Sequence, residues 1–443
     1  MMSVYWVVLI CSVIVAFILH RRPLAQSVII AVSVFLSGAA IAIPEKKQRD
    51  SLILKDVQYA QYRGLLVSEL SEKPKTMSVR VMLTESRREI TAYIYKDQRS
   101  RSLTAGDGII FQAKIEDGRA FVKTSQWQSY EFQKTELTRI QRSRVFFLKL
   151  RHRLLQRFRQ HGIEGETYSI VAAMSLGDKS ALNKDLRQIY NASGAAHILA
   201  LSGLHIGIIY AILSVMSFGY RWQTLSQIII ISSIWAFVFL VGLPTSAIRS
   251  AIMLTLYSVM SLGYREKMSL NTLAFSAFVM LIASPSSLFD VGFQLSYLSV
   301  LSIMVLMPVI DGWCPKVLSR PLFRKGWSMM MVTIAAQIGT APLIIHYFGY
   351  FSVYSLFSNI VAIPAAILIL YLSIATLITS VFAAPLTAIV HFLNSCLEVT
   401  ARLPSPDITP TNLSVLQVVL FYALVLITYW IVMILSPSER LQG

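Results

Sequence analysis

Charged residues and cysteines are scarce in this sequence. Only 14% of its 443 residues are charged, whereas 55% are hydrophobic. That balance excludes a string of ordinary soluble domains, in which about a quarter of the residues are charged. The three cysteines, Cys11, Cys314 and Cys396, lack the spacing of a zinc site and do not suggest a disulfide framework. We therefore expect neither a bound metal nor another cofactor.

Motifs for ATP hydrolysis and for serine hydrolysis are also missing. No Gly-x-x-x-x-Gly-Lys-[Ser/Thr] occurs, so any ATP-driven step needs a separate cytosolic protein. No Gly-x-Ser-x-Gly occurs either. The first apolar run, at 4–19, has neither a basic segment before it nor a small-residue cleavage site after it. It therefore predicts a retained helix rather than a signal peptide.

Apolar runs long enough to cross a bilayer fill most of the remaining sequence. A membrane helix needs about 20 consecutive, mostly apolar residues. Eleven runs approach this length: 4–19, 24–43, 195–217, 225–242, 245–262, 269–284, 287–310, 327–346, 358–380, 384–400 and 413–435. The run at 384–400 is the weakest of them. The sequence thus predicts a polytopic α-helical membrane protein with about 11 spans.

The basic residues between these runs predict the orientation of the chain. Cytoplasmic loops are enriched in Lys and Arg. With the N-terminus outside the cytoplasm, the cytoplasmic side receives Arg21, Arg22, Arg221, Arg265, Lys267, Lys316, Arg320, Arg324, Lys325 and Arg440. The opposite loops are nearly free of cations, with Arg402 as the exception. We therefore expect a cytoplasmic C-terminus and an extracytoplasmic segment at 45–166.

The polar segment at 45–166 predicts a small β domain. It holds 25 Lys and Arg against 15 Asp and Glu, an excess of +10 that suits a polyanion or anionic lipid, or that simply solvates a small domain. Short alternating runs predict five strands, at 62–70, 78–83, 89–95, 108–115 and 120–127. They fit an OB-like β-barrel, with a β-sandwich fragment as the alternative. OB barrels bind single strands by aromatic stacking beside basic residues, and the aromatic candidates are Tyr93, Tyr95, Phe111, Phe121 and Trp127.

A basic amphipathic helix is predicted after the β domain. Residues 139–159 contain eight cations and no acid, and Lys149, Arg153 and Arg157 form a row opposite an apolar face. Such a helix is suited to lying in a membrane interface. Alternatively, its cations guide phosphates toward a pore. The candidate phosphate contacts are Arg139, Arg142, Arg144, Lys149, Arg153 and Arg157.

A series of ordered motifs follows along the chain. They are Gly177-Asp178-Lys179-Ser180 with Gly194–Gly207, then Gly242–Arg249, Asp290–Tyr297, Gln337–Pro342 with Tyr347–Gly349, and Asn359–Pro364. In these motifs the sequence resembles the ComEC/Rec2 competence family, over essentially the whole chain. Many family members end in a metallo-β-lactamase-like domain. This chain stops just after its last predicted span, and no His-x-His-x-Asp-His occurs among its seven histidines.

The resemblance implies a channel that carries single-stranded DNA across the bacterial inner membrane during natural transformation. It implies transport rather than an enzymatic activity, within membrane lipid, and it leaves oligomerisation open. The expected partners are a separate nuclease, a DNA receptor, and a cytosolic helicase or single-strand-binding protein. The corresponding regions are a transmembrane hairpin at 1–44, an OB-like extracytoplasmic β domain at 45–138, a basic helix and linker at 139–190, and a competence-type channel domain at 191–443.

Polar residues within the predicted spans and motifs mark the candidate channel lining. Polar groups inside a membrane are costly, so they face the bundle interior or a water-filled cavity. The candidates are Asp178, His197, Ser202, His205, Arg249, Asp290, Gln294, Tyr297, Gln337 and Asn359. Asp290, Gln294 and Tyr297 predict one helix stripe, and Arg249 is expected to pair with Asp290.

Small residues and prolines in the motifs predict how the helices pack. Gly203 and Gly207 form a pair at the spacing that permits close helix approach. Pro244, Pro342 and Pro364 predict broken or kinked helices, which are tolerated at membrane depth where they line a cavity.

Two other functions compete with DNA transport. A membrane-embedded hydrolase would use Ser202 as nucleophile, His205 as base and Asp178 as the orienting acid. Against it, residues one turn apart on a helix point in diverging directions. A small-solute secondary transporter would show repeated halves with matching broken helices, and no convincing repeat is visible in the sequence.

Overall fold

The computed structural model describes residues 59–86, 88–132, 137–215, 223–262, 270–311, 321–404, 407–408 and 413–435. The predicted hairpin at 1–44 lies outside these residues. Most of the basic loop positions used to predict the orientation also lie outside them. The orientation therefore stays a prediction.

One sheet of eight strands forms the β region. The strands are β1 (Ala60–Leu66), β2 (Ser71–Glu72), β3 (Thr76–Leu83), β4 (Glu89–Tyr95), β5 (Gly108–Ala113), β6 (Ile115–Glu116), β7 (Arg119–Val122) and β8 (Trp127–Tyr130). Their order is β6-β7-β4-β3-β1-β5-β8, with β2 beside β3. The β4–β7 pair is parallel, and the other pairs are antiparallel.

Four of the five predicted strands are present within a few residues of their expected bounds. The fifth, at 120–127, is two strands, because the Gln126 amide donates to the Lys123 carbonyl (2.9 Å) and closes a turn between β7 and β8. Alternate residues point inward along β4, where Ile90, Ala92 and Ile94 are buried. All the long strands contribute to one apolar cluster, so the sheet curves around its own core.

The predicted basic helix is α1 (Arg139–Gln160), which starts with a capping box between Thr138 and Gln141. Its first half packs on the sheet, where Leu148 joins a cluster with Leu65 and Met82. Its second half buries Leu155 and Phe158 among the helices that follow. Protein thus covers part of the apolar side of α1, while Ile140 and Phe146 are exposed. The place of this helix in a membrane interface stays a prediction.

The first helices after α1 form a compact core. They are α2 (Gly165–Leu176), α3 (Lys184–Ala192) and α4 (Ala196–Leu199). Every residue of α2 from Thr167 to Leu176 is buried, which fits a helix that is apolar on all sides. This core also takes in α11 (Ser355–Ile378) and α12 (Ala383–Ala401). The loop and short-helix region at 177–205 is thereby held between the sheet and the longer helices.

The remaining helices are α5 (Gly203–Val215), α6 (Gln223–Leu240), α7 (Thr245–Leu262), α8 (Leu270–Ala283), α9 (Val291–Asp311), α10 (Pro321–Phe348) and α13 (Val415–Leu435). Within the described ranges, six segments are long and apolar enough to cross a membrane: Gln223–Leu240, Val291–Ile310, Gly326–Phe348, Ser355–Ile378, Ser380–Ala401 and Val415–Val432. Two shorter apolar helices are Gly203–Val215 and Leu270–Ile282. The fold is therefore mostly helical, with a small sheet region.

Two predictions about individual spans need correction. The run at 195–217 is not one helix, because the backbone is extended at Ala200 between α4 and α5. Pro342 and Pro364 each lie inside a continuous helix, α10 and α11 respectively, so the predicted break is wrong there and the predicted kink stays a prediction. Pro244 does precede a helix start, in the connection between α6 and α7.

Candidate functional site

Three motif segments meet around the buried side chain of Arg151. This arginine of α1 is 2% exposed, and its Nη1 donates to the Val241 carbonyl (3.4 Å). A Cβ on Gly242 would lie 3.3 Å from that Nη1, so the glycine leaves room for the guanidinium. Gly177, which ends α2 with φ +71°, leaves no room for a Cβ, because it would lie 2.4 Å from Leu201 Cδ1. The segments near residues 177, 201 and 242 are therefore in contact.

Acidic residues compensate the charge of Arg151. Burial lowers the pKa of Arg151, whereas the nearby Asp178 and Glu69 raise it, and the guanidinium remains cationic. His152 Nδ1 lies 3.1 Å from a carboxylate oxygen of Glu69. Burial raises the pKa of Glu69 above its ordinary value of 4.5, and His152 opposes the rise. The junction between sheet and helices thus contains a buried group of opposite charges.

Asp178 closes its own loop. It is 4% exposed, and its carboxylate accepts hydrogen bonds from the Ser180 amide (3.1 Å) and the Ser180 hydroxyl (2.9 Å). Asp178, a candidate for the channel lining, therefore fixes the shape of the Gly177–Ser180 turn. Its negative charge lies near Arg151.

Ser202 and His205 form the start of α5. The His205 amide donates to the Ser202 carbonyl (3.1 Å), and the Ser202 amide donates back to His205 Nδ1 (3.3 Å). The Ser202 hydroxyl also lies 3.2 Å from Nδ1. The expectation that these side chains diverge is wrong, because Ser202 precedes the helix instead of lying within it. The His205 side chain thus accepts from the amide of the residue before the helix, as the third helical residue does in a capping box.

The rest of a hydrolytic triad is not assembled around this pair. His205 is 1% exposed, and among the described residues no group bonds its Nε2. Asp178 is engaged with Ser180 instead. His197, in α4, places Nδ1 3.2 Å from the Gly194 carbonyl. A Cβ on Gly203 would lie 3.0 Å from Ser250 Oγ, whereas a Cβ on Gly207 would have nothing within 4 Å. Of the two glycines, only Gly203 therefore serves a close approach.

Arg249 and Asp290 form the ion pair expected from the sequence. Arg249 Nη1 lies 3.7 Å from Asp290 Oδ1, with the arginine side chain 4% exposed and the aspartate 49% exposed. Asp290 also accepts a hydrogen bond from the Phe293 amide (2.8 Å) and so caps α9. It therefore lies just before the helix, while Gln294 and Tyr297 lie within it.

The next two residues of the stripe contact different helices. Gln294 accepts a hydrogen bond from the Tyr347 hydroxyl of α10 (3.0 Å). The Tyr297 hydroxyl lies 3.2 Å from Ser276 Oγ of α8. Both residues connect helices, and both are partly exposed in the described chain.

Gln337 and Asn359 belong to a second group of motif residues. Gln337 donates to the Ser355 hydroxyl (2.8 Å). A Cβ on Gly194 would lie 2.5 Å from Ser355 Cβ, so the Gly194 turn also packs here. Asn359 is 8% exposed, and no described group bonds its Oδ1. Motifs about 140 residues apart in sequence thus meet at the start of α11.

The candidate phosphate contacts on α1 divide into two groups. Arg144 is half-buried and forms an ion pair with Glu89 of the sheet. The other five are exposed: Arg139, Arg142, Lys149, Arg153 and Arg157. Arg151, which the sequence places in the same basic helix, is the buried exception. Its position on the apolar face, between Leu148 and Leu155, is the signal that distinguishes it.

Aromatic residues on the outer face of the sheet form a stacked pair. Tyr93 and Phe121 are cross-strand neighbours, with ring centroids 5.0 Å apart and an interplanar angle of 16°. Phe121 is 60% exposed and Tyr95 is 43% exposed. An open cavity of about 390 Å³ beside them is lined by Arg119, Phe121 and Lys123, among others. Phe111 and Trp127, by contrast, are core residues.

Acidic, histidine and cysteine side chains are dispersed in the described part of the chain. No group of three or more of them is placed to hold a metal ion there.

Membrane-length helices joined to a small sheet define a polytopic membrane protein. Residues 174–434 match the model of the family described as Competence protein, which is more than half of the chain. The chain belongs to this family.

Three relatives share part of this sequence. ComE operon protein 3 of Bacillus subtilis (strain 168) is 28% identical over 205 residues, 45% of this chain and 25% of that protein. An uncharacterized protein of Aquifex aeolicus (strain VF5) is 27% identical over 196 residues, 44% of each chain. The uncharacterized protein YcaI of Escherichia coli (strain K12) is 22% identical over 209 residues, 44% of this chain and 27% of that protein. Each match thus spans less than half of the relative. No solved structure is significantly similar to this chain.

Proposed function

We propose that this protein carries single-stranded DNA across the bacterial inner membrane during natural transformation. Membership of the Competence family and the similarity to ComE operon protein 3 support a role in DNA uptake. The observation that carries the proposal is the Tyr93–Phe121 stack, in which Phe121 is exposed, with Arg119 and Lys123 beside Phe121. Aromatic faces next to cations bind single strands because every base offers a π-face and every linkage a charge.

We propose that the sheet is an OB-type barrel, a fold that suits the binding of a single strand. Its strands β1, β3 and β4 pair in succession, β5 returns to β1, and β7 pairs with β4 in parallel. One sheet encloses one core, which is the property of a barrel. We place this domain on the extracytoplasmic side, where incoming DNA arrives.

The helical region would form the passage. We propose about 11 spans in total, with Arg249, Asp290, Gln294 and Tyr297 bordering the route. A single strand passes through a narrower opening than a duplex, and its phosphates need cations along the way. A separate nuclease, a DNA receptor and a cytosolic helicase or single-strand-binding protein would supply and draw in the strand.

Uptake of labelled DNA tests the proposal. We expect a deletion strain to retain surface-bound DNA but to lose its arrival in the cytosol, and expression of the native chain to restore arrival. Phe121→Ala should restore less than the native chain, while the matched variant Phe146→Ala, an exposed aromatic on α1, should restore it fully. Normal arrival of DNA in the deletion strain, or a defect in solute uptake alone, would contradict the proposal.

The contact between Ser202 and His205 favours a hydrolase as a second candidate. The hydroxyl lies 3.2 Å from Nδ1. However, Nδ1 also accepts from the Ser202 amide, and no described acid bonds Nε2, so the pair matches a helix cap better than a nucleophile and its base. A serine-reactive probe distinguishes the two. A covalent adduct on native protein that is absent from Ser202→Ala would support the hydrolase.

A further inference from the structure

A cleft separates the sheet from the motif loops of the helical region. It encloses about 810 Å³, a volume that suits a small ligand or a short segment of a polymer. Residues from β3 and β4 form one wall, and the loops at 177–180 and 241–246 form the other. Arg187 of α3 borders it as well. Three motif segments, Gly177–Ser180, Gly242–Ser246 and Gly194–Gly207 through Ala200 and Leu201, therefore line this cleft beside the β domain.

Besides the compensated Arg151, three cations line this cleft. They are Arg80 of β3, Lys179 of the motif loop and Arg187 of α3. Arg187 donates to the Lys179 carbonyl (3.0 Å), which holds its guanidinium beside the loop. Partial burial lowers the pKa of Lys179, and repulsion from Arg187 and Arg80 lowers it further. The cations thus repel one another, and an anion between them would relieve the repulsion.

The acids of the cleft are already engaged with other groups. Glu69 contacts His152, Glu89 pairs with Arg144, and Asp178 accepts from Ser180. Arg80 reaches Glu89 only at 3.8 Å, and that glutamate is shared with Arg144. Within the described ranges, no acid pairs with the Lys179 ammonium. The positive charge at the cleft is therefore available to a ligand.

The register of the sheet connects the cleft to the aromatic pair. Phe121 lies opposite Tyr93, and Tyr93 lies opposite Ser78 on the next strand. Ser78 lines the cleft, so the outer face leads from Phe121 to the cleft across two strand spacings, about 10 Å. A parallel row runs from Arg119 through Thr91 to Arg80. The stacked aromatics and the cleft thus share one continuous face.

We propose that the cleft binds the phosphodiester backbone of a single strand at Arg80, Lys179 and Arg187, next to bases stacked on Tyr93 and Phe121. This inference rests on the proposed function and places the strand between the β domain and the motif loops. A nucleic acid fits this surface better than a lipid headgroup, because the face combines a stacking pair with a row of cations. The cleft then delivers the strand to the helical region.

Salt-dependent binding of the purified full-length protein tests this site. The probe is a fluorescent oligothymidylate of about 16 nucleotides, at the upper end of the site size of one OB domain. Each phosphate contact contributes about 0.7 to the slope of log affinity against log salt. Lys179→Gln and Arg187→Gln should each lower the slope by about 0.7, which corresponds to roughly fivefold weaker binding at about 0.1 M salt.

Matched variants separate a local contact from damage to the fold. Lys184→Gln removes an exposed cation from the same helix as Arg187 but outside the cleft lining, so it should leave the slope unchanged. Lys179→Arg keeps the charge and should restore the native slope.

Four outcomes are decisive. A lower slope in the Lys179 and Arg187 variants, with the Lys184 variant unchanged, supports the site. An unchanged slope in both, combined with weaker binding by Phe121→Ala, overturns the site and leaves the proposed function standing. If the Lys179 and Arg187 variants lose co-purifying phosphatidylglycerol while their slope stays unchanged, the result overturns the site in favour of a lipid. If the native protein binds no oligothymidylate at all, the proposed function falls with it.

Discussion

At the scale of single residues, the Arg249–Asp290 pair combines two roles that substitutions can separate. Asp290 neutralises a buried guanidinium and also caps α9. Asp290→Asn keeps the cap but removes the charge, and we expect it to cost about 1–2 kcal/mol, because half of the aspartate is exposed and water screens the pair. Asp290→Ala should cost about 1 kcal/mol more, since it also removes the cap.

The charge contribution of this pair is measured by a double-mutant cycle. Arg249→Gln combined with Asp290→Asn should be less destabilised than the sum of the single variants by at least about 0.5 kcal/mol, the limit below which sites count as independent. Thermal unfolding of the purified variants in one detergent gives the comparison. Strict additivity would show that the two side chains do not interact.

Glu69 gives the junction a dependence on pH. Its folded-state pKa is raised, so the protonated form is favoured on folding, and its contribution to stability is present below the ordinary pKa of 4.5 and lost as pH rises through the raised value. Glu69→Gln keeps an acceptor for His152 without the charge. We expect the melting temperature of the Glu69→Gln variant to rise relative to that of the native protein as pH increases from about 4.5 to 7.

A matched substitution controls for the general effect of pH on the detergent-solubilised protein. Glu72→Gln changes an exposed carboxylate whose pKa is lowered by Lys96, so its melting temperature should move in the opposite direction relative to the native protein. A Glu69→Gln difference that is constant across this range would show that burial does not control this group.

At the scale of secondary structure elements, α9 and α10 approach closely at a glycine. A Cβ on Gly339 would lie 2.6 Å from Ser302 Cβ and 2.8 Å from the Leu298 carbonyl. The Ser302 hydroxyl donates to the Ala335 carbonyl (2.6 Å), which fixes the contact. Gly339→Ala must push the two helices apart, and we expect a loss of about 1–3 kcal/mol of stability.

Gly326 in the same helix provides the control for that substitution. A Cβ there has nothing within 4 Å, so Gly326→Ala should be neutral or slightly stabilising through its helix propensity. Thermal unfolding and the yield of monodisperse protein report both variants. Equal stability of the two would mean that α9 and α10 do not meet at Gly339.

Elements with a clear periodicity could be predicted from the sequence, and those set by local hydrogen bonds could not. The strand at Glu89–Tyr95 and the helix at Thr245–Leu262 have their expected bounds, because the alternation and the apolar run each end at turn residues. The run at 195–217 is apolar throughout, so hydropathy hides the break that Ser202 and His205 create by capping. Arg151 shows the same limit, since its burial depends on Asp178 and Glu69, which are distant in sequence.

The candidate site follows the same division. The Arg249–Asp290 pair was predictable, because two opposite charges inside apolar sequence each need a partner. The cleft was not, because it depends on the register that places Ser78 and Arg80 opposite the Gly177–Ser180 loop. The difference between Phe121 and Phe111 was not predictable either. The two have the same side chain, but Phe121 is exposed and Phe111 is buried, because they lie on opposite faces of the sheet.

At the scale of the whole molecule, the side of the membrane on which the sheet lies decides how the parts work together. The cleft is lined by both the sheet and the motif loops, so the two lie on the same side of the helical region. The Lys and Arg residues between the predicted spans favour the cytoplasmic side, which puts the sheet on the extracytoplasmic side. Ser125 is an exposed residue in the turn between β7 and β8 and is suited to labelling.

Thiol labelling in intact spheroplasts tests that orientation. In a chain whose three cysteines are replaced by serine, Ser125→Cys should react with a membrane-impermeant maleimide without permeabilisation, because the sheet then faces outward. Arg440→Cys, near the predicted cytoplasmic C-terminus, should react only after the membrane is opened. The reverse pattern would place the stacked aromatics and the cationic cleft in the cytosol. The sheet would then receive a strand that leaves the helical region rather than one that approaches it.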